Sequence, residues 1–338
     1  MGILQKISSN IFPKEPGYNN YRYDNSETTV QEETGDLVSD YKPINDRPLN
    51  NNEGKGDLRI CLFIDGARCS IRKELLTKDK CSFVKLAHTV VGCVRMKDGN
   101  FTLEKCDEKI VLCFDEMTYR RIDSELKHSN ELLDKINREL SKCPRKFKID
   151  EIASGSTDKN ADRDKLSEML TEDENELALS MCSGLESNEW LLKDGTLMAK
   201  PAIGPIPNMI GLSKSIRIKE VTAINGLKKG RRTEALLNHK TGIIKWYLRL
   251  RDADLDGDRS HIVSLEIYAR DKAIDKATDD LIDCISARIL SMAYPVAYGV
   301  KDFGERWRTH IYPVFVTEEF CKSKELTAAE LKYYLDKM

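Results

Sequence analysis

An α/β fold, a mixed central sheet flanked by helices, is predicted by three features of the chain. Three apolar, β-branched runs stand close together near residues 59–64, 82–94 and 109–114. Their spacing makes a meander of antiparallel strands. Two segments with helical periodicity follow. Further strand-like runs then each end beside a polar residue, which suits a sheet covered by helices on its faces.

Residues 1–57 precede the sheet and are rich in Asn, Asp, Glu, Tyr, Ser and Pro, so a flexible polar arm is expected there. Its Ile3, Leu4, Ile11 and Phe12 offer anchors for a partner. The first strand, Arg59 to Ile64, closes on Asp65-Gly66. An Asp-Gly step is by itself a turn signal. At the end of a buried strand it also presents a carboxylate at the rim of the sheet. The second strand, Ser82 to Val94, turns at Asp98-Gly99-Asn100, and the third covers Lys109 to Phe114.

A helix is predicted from about Met117 to Leu140, with Pro144 stopping the pattern. Residues 151–158 are polar, with Gly and Ser, and read as a loop. The second helix, from about Asp162 to Met181, sets Leu166, Met169, Leu170, Leu177 and Met181 on one side, with Glu176 near its edge. Trp190 to Lys193 forms a fourth strand and ends in a second Asp-Gly, Asp194-Gly195. A proline-bearing loop with Pro201, Pro205 and Pro207 leads to Met209-Ile210-Gly211-Leu212-Ser213-Lys214-Ser215.

Strands are then expected at Ile243 to Leu250 and His261 to Ala269. The acidic tip between them, Asp252 to Gly257, imitates the start of a calcium loop but has Val263 where the twelfth ligand belongs. A third helix, about Ala277 to Met292, leads to Ala293-Tyr294-Pro295. A strand is expected at Ile311 to Val316, and residues 321–338 read as a charged C-terminal helix.

Composition excludes several functions. The chain has 338 residues, 33% of them charged, yet its net charge is −2, so a polyanion partner needs a local basic patch. Candidates are Lys228, Lys229, Arg231 and Arg232, and Arg306 and Arg308 around Trp307. Trp307 and Tyr298 are candidates for stacking on bases, whereas Trp246 reads as core. The ten Cys lack a CxxC pair, and Cys61, Cys93, Cys113 and Cys284 lie in apolar runs, so neither a zinc site nor a disulfide framework is expected. No apolar run approaches the roughly 20 residues that span a bilayer, and residues 1–6 lack a signal-peptide core. Lys6 stands where a myristoylation motif has Ser or Thr. A cytoplasmic protein with no membrane association is expected.

The order of elements matches a ribonuclease-H-like layout, in which the first and fourth strands are neighbours. Asp65 and Asp194 then converge, and a helix Glu reaches the same spot. Carboxylates without Cys or a His pair make a hard oxygen site suited to Mn²⁺ or Mg²⁺. Two such ions can clamp a phosphodiester between attacking and leaving oxygens. Lys214 is a candidate contact for a phosphate or for a metal-bound carboxylate.

Four short motifs also resemble a family. Ile64-Asp65-Gly66, Leu191-Leu192-Lys193-Asp194-Gly195-Thr196-Leu197, Ile210-Gly211-Leu212-Ser213-Lys214-Ser215 and Ala293-Tyr294-Pro295 occur in the order seen in NurA-type nucleases, across roughly residues 58–320. The resemblance implies manganese-dependent DNA hydrolysis, 5′ to 3′ on ends and within single strands. It also implies a homodimer that works with a HerA-type hexameric DNA translocase in end processing or anti-phage defence. By this resemblance Asp65 and Asp194 are metal ligands, Glu176 is the helix carboxylate with Glu172 and Glu174 as rivals, and Tyr294 is the motif tyrosine. Where the family usually has His, eight residues after that Tyr, this chain has Asp302, itself able to bind a hard cation. That departure leaves a second reading, a non-catalytic subunit that scaffolds or regulates a translocase ring. An enzyme of the same fold acting on RNA is a third.

Overall fold

The computed structural model describes residues 21–23, 46–48, 58–76, 81–116, 118–120, 129–142, 148–155, 161–198, 206–214, 224, 227–251, 261–271, 273–293 and 311–338. Its centre is a meander of three long strands: β3 (Arg59–Leu76), β4 (Cys81–Lys97) and β5 (Asn100–Asp115). Two short strands precede it in the chain, β1 (Tyr21–Tyr23) and β2 (Asp46–Pro48), and pair within the same sheet. The β4–β5 turn is the predicted one. Asp98 (φ 51°) and Gly99 (φ 77°) are both left-handed, the conformation a two-residue hairpin needs to match strand twist.

The next elements are α1 (Ser129–Leu140), β6 (Glu151–Gly155), α2 (Ala161–Cys182), β7 (Glu189–Asp194) and β8 (Met209–Ser213). After them come β9 (Arg231–Thr233), β10 (Leu236–Asn238), β11 (Ile243–Arg249) and β12 (Ile262–Tyr268). The chain closes with α3 (Lys276–Ser291), α4 (Tyr312–Lys324) and α5 (Ala328–Lys337).

The sheet order is β2-β9-β11-β12-β8-β7-β3-β4-β5-β6, with β1 beside β3 and β10 beside β11. Strand β4 is antiparallel to both β3 and β5. Strand β7 lies parallel to β3, and β8 parallel to β7. The segment β5-β4-β3-β7-β8 therefore has the layout expected from the sequence, with the first and fourth strands of that set adjacent. The extension through β12 and β11 is antiparallel.

Helices cover both faces. On one, Ile282, Ile285 and Ile289 of α3 and Val314 of α4 pack on Phe63, Leu192, Ile210, Trp246 and Leu265. The Trp246 indole donates to Ser286 Oγ at 2.9 Å, so this tryptophan is core, as predicted. On the other, Leu177 and Ala178 of α2 pack on Leu62, Ile64, Leu191 and Met209. A third cluster joins α1 and α5 to β4 and β5 through Leu132, Ile136, Leu331 and Tyr334.

Three predictions about elements need correction. β3 does not stop at Asp65-Gly66; it runs 18 residues to Leu76, because pairing with β4 continues from Leu62 to Leu76 and overrides the local turn signal. What ends near Asp65 is the parallel pairing with β7, whose last rung is Ile64 with Lys193. Residues 151–155, read as loop, form β6 along β5, where Ala153 packs on Leu166 and Met169. Residues 312–316, read as strand, begin α4: Pro313 occupies the first turn, and Pro313, Val314, Thr317 and Cys321 form one buried helical face. The helix expected from Met117 is continuous from Ser129 to Leu140; residues 121–128 lie outside the described residues.

Candidate functional site

Asp65 is 5% exposed, in the middle of β3 and at the end of the parallel rungs with β7. Its Oδ1 accepts from the Gly66 N–H at 2.8 Å, and its Oδ2 is buried with no hydrogen-bond partner. A buried carboxylate oxygen left in this state is costly unless something else answers it. Burial pushes the Asp65 acid well above the usual carboxylate range. The negative charges of Asp194, Glu174 and Glu318 add to that, and the Lys214 ammonium opposes it.

Asp194 closes β7, and Gly195 behind it is left-handed (φ 92°), a position where a side chain is strained. The Gly195 N–H donates to Leu212 O at 2.6 Å, which ties the turn to β8. Lys214, just past the end of β8, donates from Nζ to Asp194 Oδ2 at 2.8 Å. Burial pulls the Lys214 ammonium down, but Asp194 and Asp65 outweigh it and hold it above its ordinary value. Asp65, Asp194 and Lys214 therefore form one electrostatic group.

Strand parity shows how the helices reach this group. Asp65 lies opposite Gly92 of β4, and a Cβ on Gly92 would come within 2.8 Å of Cys321 Sγ in α4. Directly paired residues point to the same face. Asp65 thus faces α4, and the Cys321 thiol donates to Asp65 O at 3.4 Å. Gly66 points the other way, where a Cβ would meet Glu174 Oε1 at 2.7 Å and Leu170 Cδ1 at 2.8 Å in α2. The missing side chain at Gly66 is what lets Glu174 lie against β3.

Glu174, not Glu176, is the helix carboxylate at this place. Glu174 is 8% exposed, whereas Glu176 is on the solvent side of α2 and Glu172 is exposed as well. Two residues along a helix turn a side chain through about 200°, so Glu174 and Glu176 cannot share a face. Lys193, 0% exposed, meets Glu174 Oε2 at 3.2 Å and also donates to Asp194 O at 3.1 Å and Thr196 O at 3.5 Å. Burial raises the Glu174 acid to about 7 against the pull of Lys193, with Asp194 adding to the rise. Nothing in the helical periodicity of the sequence separates Glu174 from Glu176. A lysine between two strand leucines and an Asp was the available signal for Lys193.

The donor set is carboxylate oxygen throughout, with an unanswered buried Oδ2 at its centre, and in kind it fits a hard divalent cation. Among the described residues no three His, Cys, Asp or Glu side chains form a group that could hold a metal ion. Two of the carboxylates here are engaged by lysines.

Tyr294, Asp302, Arg306, Trp307, Arg308 and Tyr298 lie outside the described residues, as does the acidic tip 252–257. Of the other basic candidates, Lys228 and Lys229 are exposed. Arg232 is not available to a polyanion: it is 0% exposed and bonds Asp283 at 2.5 Å and Asp279 at 2.7 Å in α3. Cys61, Cys93, Cys113 and Cys284 are free thiols, and Cys61, Cys93 and Cys113 are buried. No helix among the described residues is long and apolar enough to cross a membrane.

No protein-family model matches the sequence, and no curated protein matches it. Among solved structures, the crystal structure of the NurA nuclease from Sulfolobus solfataricus aligns with 87% of this chain and 85% of its own, at 11% identity and a TM-score of 0.44. At that score the likeness adds no argument to the geometry described above.

Proposed function

We propose that the chain is a divalent-metal-dependent DNA nuclease. The observation that carries this reading is the buried, unpartnered Asp65 Oδ2 within electrostatic reach of Asp194, at the edge where the parallel pairing of β3 and β7 ends. Asp65 and Asp194 would hold the cation, Mn²⁺ or Mg²⁺ and in the family's manner two ions, with Glu174 and Asp302 as further ligands. A bound cation of this kind supplies Lewis-acid polarisation of a phosphodiester and a nucleophilic hydroxide near neutral pH.

The protein's own part is binding and orientation. Lys214 fixes the Asp194 carboxylate through Oδ2 and brings positive charge to the place where a phosphate would sit. Lys193 holds Glu174 and the turn carbonyls of Asp194 and Thr196 in one arrangement. Arg306, Trp307 and Arg308 are the proposed strand-binding residues, with Tyr294 as a further proposed catalytic residue. Single-stranded DNA is the substrate the motif resemblance favours, with 5′ to 3′ polarity at ends. A HerA-type translocase and a second copy of the chain are the partners it implies.

The test is digestion of end-labelled DNA and RNA across divalent metals by the wild type and Asp194→Ala. Manganese-stimulated cleavage of single-stranded DNA, lost in the variant with folding intact, is the expected result. Absence of cleavage in manganese or magnesium, with or without a translocase, contradicts it. One observation favours a second reading, a non-catalytic subunit on a translocase ring: lysines already engage Asp194 and Glu174. Calorimetry separates the two, because that subunit would show no manganese binding that depends on Asp65.

A further inference from the structure

Where Asp65 stands, β3 is held in the sheet from one side. The parallel rungs with β7 end at Ile64 and Lys193, and the pairing with β1 begins only at Ile71. Pairing with β4 runs unbroken from Leu62 to Leu76. Among the described residues, the stretch 65–70 thus has β4 as its one sheet neighbour. Half a backbone ladder holds a strand less firmly than a full one, so the contacts on its two faces decide where this stretch rests.

Each face is approached by a helix at a glycine. On one, Glu174 and Leu170 of α2 lie over Gly66. On the other, Asp65 pairs with Gly92, and Ala67 with Val90, on successive rungs of the same face. Cys321 of α4 packs on Ala67 and Val90 and is 1% exposed. Its sulfur fills the space that a side chain on Gly92 would need, since a Cβ there would come within 2.8 Å of it. From that slot the thiol donates to Asp65 O at 3.4 Å.

We propose that Cys321, seated in the slot left by Gly92, is a positioning residue for Asp65. It sets the height of α4 over β3 and holds the Asp65 main chain at the rim where the parallel rungs end. The proposal rests on the reading of Asp65 as a functional carboxylate given above. A thiol is a weak donor, so the hydrogen bond supplies direction and the packing supplies most of the hold. In a close-packed interior one added methyl is felt by every neighbour. Gly92→Ala therefore drives the sulfur out of the slot or lifts α4, and in either case the contact with Asp65 is lost. Cys321 serves here as a small apolar group of the right size, the ordinary role of a buried free cysteine.

The experiment compares the full-length wild type, Cys321→Ala, Gly92→Ala and Gly92→Ala/Cys321→Ala, each after a melting curve. Hydrogen exchange read by mass spectrometry reports on residues 64–68, and steady-state cleavage of single-stranded DNA in manganese gives kcat and KM. Gly92→Ala is expected to speed exchange over residues 64–68 by at least about tenfold, as local opening becomes easier. It is expected to lower kcat by at least about tenfold with KM unchanged, since a small misplacement of a reacting group costs that much. Cys321→Ala shifts both in the same direction and by less. Removing the sulfur makes room for the new methyl, so the double variant is expected to return to the level of Cys321→Ala. Exchange that stays at the wild-type level in Cys321→Ala and in any folded Gly92→Ala overturns the inference. Faster exchange with kcat unchanged overturns it, as does a defect in Gly92→Ala that Cys321→Ala does not relieve. A wild type that cleaves nothing, with exchange responding as expected, overturns the nuclease reading and upholds the positioning of Asp65.

Discussion

Gly66 and Lys193 are the residues whose identities matter most for reasons other than chemistry. Gly66 reads in the sequence as half of a turn signal, yet it sits in an extended strand. Its value is the absence of a side chain under Glu174 and Leu170 of α2. Gly66→Ala sets a Cβ within 2.7 Å of Glu174 Oε1 and is expected to destabilise the protein by about 1–3 kcal/mol, the usual range for overpacking. A shift in the urea midpoint at unchanged slope measures it. Lys193 is wholly buried with its ammonium on the buried Glu174. Lys193→Met leaves that carboxylate without a partner and is expected to cost about 3–5 kcal/mol, as broken buried pairs do. Adding Glu174→Gln should restore a large part of the loss. Equal instability of the single and double variants would show that Lys193 acts through packing alone.

Elements record how far local pattern reaches. The meander, its Asp98-Gly99 turn, α2, β7, β8, β11, β12 and α3 were all legible, because apolar periodicity and turn chemistry agree there. Two of the misreadings share one cause. In β6 and in the second half of β3, pairing with a neighbouring strand decides the conformation, and a polar stretch or an Asp-Gly step does not announce a neighbour. In α4 the β-branched and aromatic start, Ile311 to Val316, outweighed the proline that marks a helix's first turn.

The joint between α4 and α5 also carries a pH dependence. His88 of β4, 3% exposed, accepts the Leu326 N–H through Nδ1 at 2.9 Å, and Glu108 lies 3.5 Å from its Nε2. Burial holds the His88 imidazole below its ordinary value, against the pull of Glu108. The folded protein therefore binds fewer protons here than the unfolded chain. Stability from this group is complete above the unfolded value of about 6.5 and is lost as pH falls through that value toward the folded one. A protonated ring also cannot accept at Nδ1. Hydrogen-exchange protection of the Leu326 amide is expected to fall between about pH 7 and pH 5. Protection that stays constant over that range would contradict this account.

At the scale of the molecule, the sheet order β5-β4-β3-β7-β8 carries the functional argument. It makes neighbours of two strands 130 residues apart in the chain and so brings Asp65 and Asp194 to one edge. Asp65 held its place from sequence to structure because a buried strand fixes which residues arrive at its parallel rim. The choice among Glu172, Glu174 and Glu176 did not, because it depends on how α2 is rotated over Gly66. Acids gathered this way oppose one another and resist folding in the absence of a cation, as functional sites commonly do.

That conflict gives the most direct test of the central claim. Wild type and Asp65→Asn are compared for cleavage of end-labelled single-stranded DNA in manganese, and for urea midpoint in metal-free buffer. The account predicts that Asp65→Asn loses cleavage while matching or exceeding the wild type in stability, because a charge has been removed from a buried and repulsive position. Undiminished cleavage by a folded Asp65→Asn protein would contradict it.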